Sequence, residues 1–292
     1  MSDVTVVIAC FNYGRFLSEA VESALSQAGP PQVVVVDDGS TDAATHAALD
    51  ALPPQVHVVR QANAGVSAAR NAGLARARAP FVAVLDADDR LAPGAIEILR
   101  DALARHPEAG FAYGHQRFFG AWRGEMRFPP YDPLRLLDRH LIGPTALVRR
   151  EVFADIGGYD ESFPLYEDWE LWIAALAHGW HGVRVDAVTH EYRRHGPSKL
   201  ATDRRRYREL RRRLRTKHAA LYAARRALRA HSTLGPAGRL VYRWFWGPRP
   251  VPAAVEQAAY ALLWGRVSRR GRAAATPTPA AGPPASSRRS RS

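Results

Sequence analysis

The chain contains several segments that are apolar at every position and then stop at acids. Residues 4–10 are apolar or β-branched throughout; Val33-Val34-Val35-Val36 ends in Asp37-Asp38, and Phe81-Val82-Ala83-Val84-Leu85 ends at Asp86. A strand with one wet face would alternate in polarity, so strands apolar at every position require cover on both faces, as in a parallel sheet flanked by helices. The intervening segments supply those helices. Phe16, Leu17, Ala20, Val21, Ala24 and Leu25 recur at helical spacing before a Gly29-Pro30-Pro31 stop. Residues 43–52, 66–77 and 93–105 read as further helices, with a strand at 56–59. The first hundred or so residues therefore predict an α/β layer of the nucleotide-binding type.

Beyond it the pattern loosens. Phe111-Ala112-Tyr113 and Phe118-Phe119 read as two short strands, 127–138 as a Pro-rich loop, Tyr166 to His178 as a helix and Val183-Arg184-Val185 as a last strand. One long helix is expected over 203–229 and short helices over 234–265. With 47% hydrophobic residues in 292, the chain has material for a real core, which excludes wholesale disorder. The lone Cys10 cannot form an internal disulfide and suits a reducing compartment. The opening MSDVTVVIACFNYG lacks a basic segment ahead of its apolar run and does not read as a signal peptide. The expected location is cytoplasmic.

The net charge of +13 is unevenly placed. Residues 1–200 hold 19 Lys and Arg against 25 Asp and Glu, and residues 201–292 hold 22 against 3. An acidic body thus carries a basic extension.

In an open α/β sheet, ligands settle beyond the carboxyl ends of the strands. Here two such ends carry acids: Asp37-Asp38, and Asp86, Asp88 and Asp89. Converging carboxylates repel one another unless a cation or a donor-rich ligand offsets them, and hard oxygen donors suit Mg²⁺ or Mn²⁺ shared with phosphate oxygens. Each cluster taken singly also fits solvated turns and helix caps, with Ser40-Thr41-Asp42 a good cap signal. Two clusters in register across one sheet favour a bound diphosphate. There is no GxGxxG after the first strand and no GxxxxGK[ST] anywhere, which disfavours the usual dinucleotide fold and the P-loop.

These residues resemble the inverting nucleotide-sugar glycosyltransferases of family 2, which have the GT-A fold. The matching segments are Val6 to Tyr13, Val35-Val36-Asp37-Asp38-Gly39-Ser40-Thr41-Asp42, Asn63 to Gly73, Leu85-Asp86-Ala87-Asp88-Asp89, Gly157-Gly158-Tyr159-Asp160-Glu161, Tyr166-Glu167-Asp168-Trp169-Glu170-Leu171 and Tyr192-Arg193-Arg194-His195. They occur in family order over about residues 4–200. The resemblance implies that Ala9 and Phe11 contact the base, that Asp38 accepts hydrogen bonds from base or ribose, and that Arg70 lines the base pocket. It makes Asp86, Ala87 and Asp88 a DxD motif, with Asp88, Asp86 and His195 at an Mn²⁺ or Mg²⁺ ion. It makes Asp168 the catalytic base, with Glu167, Trp169 and Trp172 toward the acceptor.

It further implies a donor built on UDP, dTDP or GDP and a glycan or lipid-linked acceptor of the bacterial cell envelope. The Gln-x-x-Arg-Trp motif of processive members is missing, Leu240-Val241-Tyr242-Arg243-Trp244 being the nearest string, and no apolar stretch reaches 18 residues. Transfer of one sugar at a time follows. A non-catalytic nucleotide-sugar-binding relative, acting through its Arg-rich arm, is the alternative. A sugar nucleotidyltransferase should begin with a Gly-rich basic loop, which Ala9-Cys10-Phe11-Asn12 is not.

The expected organisation is a catalytic domain over 1–200, divided into a nucleotide-sugar half (1–110) and an acceptor half (111–200). A basic helical extension over 201–270 and a disordered Ala, Pro, Ser and Arg tail over 271–292 follow. The extension suits either packing on the body by its Leu stripe or resting on an anionic membrane surface with Trp244, Phe245 and Trp246. No zinc finger, stacking motif or recognition helix accompanies the charge, so nucleic acid is not the expected partner.

Overall fold

The computed structural model describes residues 2–195, 204–239 and 242. The first half follows the alternation read above: β1 (Val4–Cys10), α1 (Gly14–Leu25), β2 (Gln32–Asp37), α2 (Ala43–Asp50), β3 (His57–Arg60), α3 (Val66–Leu74) and β4 (Phe81–Asp86). Then come β5 (Arg90–Leu91), α4 (Ala95–Arg105), β6 (Phe111–Gly120), β7 (Gly124–Met126), α5 (Pro133–Leu136), β8 (Leu147–Arg149), α6 (Arg150–Ile156), α7 (Glu167–Ala177) and β9 (Gly182–Arg194). Among the described residues these strands make one nine-stranded sheet, ordered β3-β2-β1-β4-β8-β6-β9-β5 with β7 paired to β6. The sheet runs through both halves of the chain.

β1 pairs in parallel with β2 and β4, and β2 with β3, so Cys10, Asp37 and Asp86 end on one edge. The uniformly apolar strands feed three cores, Val7, Val82 and Val84 joining Phe111 and Trp172 in one of them. Val4, Val6, Ile8, Val33 and Val35 pack with Leu17, Ala20, Val21 and Ala24 of α1, while Val34 and Val36 face Ala69 of α3. Each fully buried Val or Leu contributes roughly 1.5–3 kcal/mol. α3 lies so close to the sheet that a Cβ at Gly73 would stand 2.2 Å from Val7 Cγ1.

The second half departs from the expected pattern. The two short strands expected at Phe111–Tyr113 and Phe118–Phe119 are one continuous strand, β6, whose pairing with β9 is irregular between Tyr113 and Gln116. That irregularity breaks the period-two signal, which is why the sequence reads as two pieces. The strand expected at Val183–Val185 extends to Arg194. β8 is antiparallel to both β4 and β6, so β6 runs in the direction of β4, and β9 runs with it. The ends of β6 and β9 therefore reach the edge that carries the acids. The Pro-rich 127–138 segment contains α5, capped by Asp132, whose Oδ1 accepts from Arg135 N at 3.0 Å.

The long helix expected over 203–229 is broken into α8 (Arg204–Lys217), α9 (Ala219–Ala223) and α10 (Arg225–Leu228). The first break falls at His218, whose Nε2 turns inward to Glu170 Oε1 at 2.9 Å. Leu210 and Leu214 enter the core shared by Leu136, Leu137, Trp169 and Trp172. The charges dock as well: Arg211, Arg215 and Arg225 all reach the Asp138 carboxylate, and Lys217 bridges Asp160 and Glu170. Part of the basic excess thus answers buried acids of the body. Trp244, Phe245 and Trp246, most of the helices expected over 234–265, and the 271–292 tail lie outside the described residues.

Candidate active site

The site begins where β1 and β2 end. Asn12 adopts φ 57°, and its Oδ1 accepts from Thr41 N at 2.8 Å and Asp42 N at 3.2 Å, tying the β1 loop to the β2 loop. Asp42 caps α2 as its sequence signal indicated, accepting from Thr45 N at 2.7 Å. Gly39 is at φ 71°, where a Cβ would meet Asn63 N at 2.6 Å, so the turn admits only glycine. Asp38 is buried, and its carboxylate accepts from Gln61 Nε2 (2.7 Å), Ala64 N (2.9 Å) and Gly65 N (2.9 Å). It fixes the loop entering α3. Phe11, the residue directly after β1, is 42% exposed, an apolar ring open to a ligand.

Asp86 ends β4 and Asp88 and Asp89 follow it, with one ligand atom from each lying within 4.8 Å of the others. Asp89 is enclosed: His190 Nε2 lies 2.9 Å from Oδ2 and Arg193 N donates to Oδ1 at 2.8 Å. Burial pushes its carboxyl up to about 6 against the opposing pull of His190. Asp88 is also pushed up, by burial and then by Asp86, with His195 pulling the other way from 2.7 Å at Oδ2. The His195 ring is held by Phe16 and Tyr13, with centroids at 4.9 and 5.6 Å. Three carboxylates crowded this closely are a set that a hard divalent cation would hold together, and oxygen ligation suits Mg²⁺ or Mn²⁺. The residues present fit such an ion.

Arg70 joins this cluster to the other side of the cleft. Its side chain is 2% exposed, with one nitrogen 2.7 Å from Asp86 Oδ1 and another 2.8 Å from Glu167 Oε1. Glu167 and Asp168 open α7, after Tyr166 turns the chain at φ 59°. Asp168 Oδ1 accepts from Trp169 N at 2.8 Å, and Oδ2 lies 3.0 Å from His140 Nε2. Burial raises the Asp168 carboxyl, but His140 and Arg70 outweigh it and hold the group below the usual carboxylate range. Burial lowers the His140 imidazole, and Asp168 and Glu167 overcome that to raise it.

Asp86, Asp88, His195, Glu167 and Asp168 are therefore brought together at one edge of the sheet, with Ala9 and Ala87 at the strand ends there. Arg70 is engaged by two carboxylates instead of facing open space. Trp169 and Trp172 require correction as acceptor walls. They are 0% and 1% exposed, Trp169 Nε1 donating to Leu136 O and Trp172 lying against Phe111 with centroids 4.6 Å apart, so neither presents a face to a sugar. The sequence reading missed His140 and His190. Neither lies in a motif; they reach the acids only because a loop and a long strand return to the same edge.

A parallel α/β half ending in clustered acids, continued by a mixed half that adds Glu167 and Asp168, is the GT-A class of fold. The family model for glycosyl transferase family 2 matches residues 5–157. The chain is 33% identical over 207 residues to the succinoglycan biosynthesis protein ExoU of Rhizobium meliloti, covering 61% of this chain and 58% of that protein. It is 32% identical over 213 residues to the uncharacterized glycosyltransferase Rv0539 of Mycobacterium tuberculosis, covering 68% of this chain and 89% of that protein. The chain thus spans little more than half the length of ExoU. Among solved structures it is similar to S. aureus TarS 1–349 in complex with UDP-GlcNAc (TM-score 0.58, 20% identity, 70% of this chain and 61% of that one). It is likewise similar to the mannosyltransferase PcManGT of Pyrobaculum calidifontis in complex with GDP-Man and Mn²⁺ (TM-score 0.55, 20% identity, 89% and 80%). The chain belongs to glycosyl transferase family 2.

Proposed function

We propose that the chain is a metal-dependent, inverting, non-processive glycosyltransferase that moves one sugar from a nucleoside-diphosphate-sugar to a hydroxyl of a saccharide or lipid-linked saccharide. The observation that carries this reading is the Arg70 bridge: one buried guanidinium holds Asp86 of the acid cluster and Glu167, the neighbour of Asp168. The acids suited to a diphosphate and the carboxylate suited to an acceptor are thereby fixed in one frame.

In this reading Phe11 lies against the base, and Asp38 shapes the nucleotide loop from within. Asp86 and Asp88, with His195 beside them, would hold the ion. When bound, the cation supplies charge neutralisation for the departing diphosphate. Asp168 accepts the acceptor's O–H proton as that oxygen attacks the anomeric carbon from the face opposite the leaving group, so the C–O bond forms as the bond to the diphosphate breaks. Glu167 keeps Arg70 in place and so sets the spacing between donor acids and base. The kinship with a succinoglycan biosynthesis protein supports bacterial polysaccharide assembly as the setting.

A donor screen tests the assignment. Release of nucleoside diphosphate is measured across UDP-, dTDP- and GDP-sugars with Mn²⁺ or Mg²⁺ in the presence of candidate saccharide acceptors. One donor class should give metal-dependent release, and Asp168→Asn should abolish turnover while retaining donor binding. No binding or release with any donor refutes the enzyme reading; turnover surviving in Asp168→Asn refutes the base.

A further inference from the structure

We propose that His140 is a positioning residue for Asp168: its imidazolium supplies the counter-charge that fixes the carboxylate, and the C-terminal helices hold the segment that delivers it. The proposal rests on the reading of Asp168 as the base.

The geometry is specific. His140 Nε2 stands 3.0 Å from Asp168 Oδ2, and its ring stacks on Trp169 at 27° with centroids 6.3 Å apart. Tyr166 closes a third side edge-on, its centroid 6.1 Å away. Trp169 is locked in turn by donating to Leu136 O at 2.7 Å, so α7 and the 132–140 segment are tied at both ends of the pair. The extension then clamps that segment. Arg211, Arg215 and Arg225 converge on Asp138, two residues before His140, and Tyr222 Oη donates to Leu137 O. Ser232 and Thr233 hold Asp132 at 2.8 Å.

The titratable and charged groups that act on the pair are Glu167, beside Asp168 at the start of α7, the Arg70 guanidinium and the Tyr159 phenol, with the Tyr166 ring edge-on to the imidazole. Burial lowers the imidazole; Asp168 itself, then Glu167 and a backbone hydrogen bond at Ile142, raise it. With the imidazole protonated, the 3.0 Å contact neutralises Oδ2 by charge, while the lone pairs of Asp168 stay available for the acceptor proton. Loss of the proton removes this counter-charge, so the carboxylate is no longer held by the ion pair. Activity should then fall on both sides: at low pH as Asp168 is protonated, and at high pH as His140 is deprotonated.

Full-length protein labelled with ¹⁵N-histidine and titrated by NMR without ligand tests the pair directly. Among the 11 histidines, a resonance that titrates above the ordinary value should be missing in His140→Gln and return toward the ordinary value in Asp168→Asn. Kinetically, His140→Gln should shift the acid limb of kcat upward in pH and remove the alkaline limb, with the donor KM unchanged; a purely structural role would move kcat and KM without shifting the limbs.

If His140→Gln does not fold, the titrations of wild type and Asp168→Asn decide. Absence of an elevated histidine that responds to Asp168→Asn overturns the pair whatever the turnover. An unshifted acid limb in folded His140→Gln overturns the positioning role. An elevated histidine in a chain that turns over no UDP-, dTDP- or GDP-sugar would overturn the reading of Asp168 as base and with it the catalytic role of His140, while leaving the ion pair established.

Discussion

Replacing Asp138 by Asn tests how the basic extension is held. The carboxylate is 0% exposed; Oδ1 lies 3.1 Å from Arg211 and 3.2 Å from Arg215, and Oδ2 is shared by Arg225 and the Tyr242 hydroxyl. Asn keeps the shape and removes the charge, leaving three guanidinium groups around a neutral amide. Removing one partner of a buried ion pair costs about 3–5 kcal/mol. The three arginines keep 16%, 36% and 21% exposure, so water shares the burden and the low end applies. At about 1.36 kcal/mol per tenfold, ~3 kcal/mol raises the undocked population roughly 100-fold. Leu210 and Leu214 still anchor α8 in the core, so the helices stay docked most of the time. Hydrogen–deuterium exchange of the full chain should show α8–α10 amides exchanging about two orders of magnitude faster, with α1 and α4 unchanged. Unchanged protection in 204–231, or an equal loss through the whole sheet, would refute the view that this carboxylate is the local anchor.

Other consequences follow from the same contacts. Arg70→Leu leaves Asp86 and Glu167 without their shared counter-ion, at a cost of about 3 kcal/mol; this lowers Tm by roughly 6–12 °C for a domain of this size. Because burial already holds the Glu167 carboxyl above its usual value, protonation relieves the strain, and the Tm deficit should shrink between pH 7 and pH 5. Asp88→Asn should weaken Mn²⁺ binding, read by electron paramagnetic resonance, by roughly tenfold or more; equal binding would remove Asp88 from the ion. Asp160 is held down to about 2, its burial outweighed by Lys217 and Ser162. A depressed carboxyl contributes stability above its unfolded value and loses it as pH falls toward the folded one. Docking of α8 should therefore loosen between about pH 4 and pH 2, seen as faster proteolysis of the extension by an acid protease, and Lys217→Gln should flatten that dependence.

The parallel half was legible in the sequence because its constraint is local and repeated. A strand covered on both faces has to be apolar at every position, so β1, β2 and β4 announce themselves, and the acids at their ends mark the ligand edge. The motifs likewise indicated Asp86, Asp88 and Asp168. The second half was less legible. β6 pairs irregularly with β9 and carries His115, Gln116 and Arg117 in mid-strand, so no period identifies it, and the break at His218 depends on Glu170, 48 residues earlier.

Residue type and order, then, determined the layered sheet, the acids on its edge and the division into an acidic body and a basic extension. What each side chain faces was decided by the tertiary structure. Trp169 and Trp172 became core, Arg70 became the bridge between two carboxylates, and His140 reached Asp168, because burial and ion pairing depend on which distant segments meet. A sequence pattern records only what each element demands of its own faces.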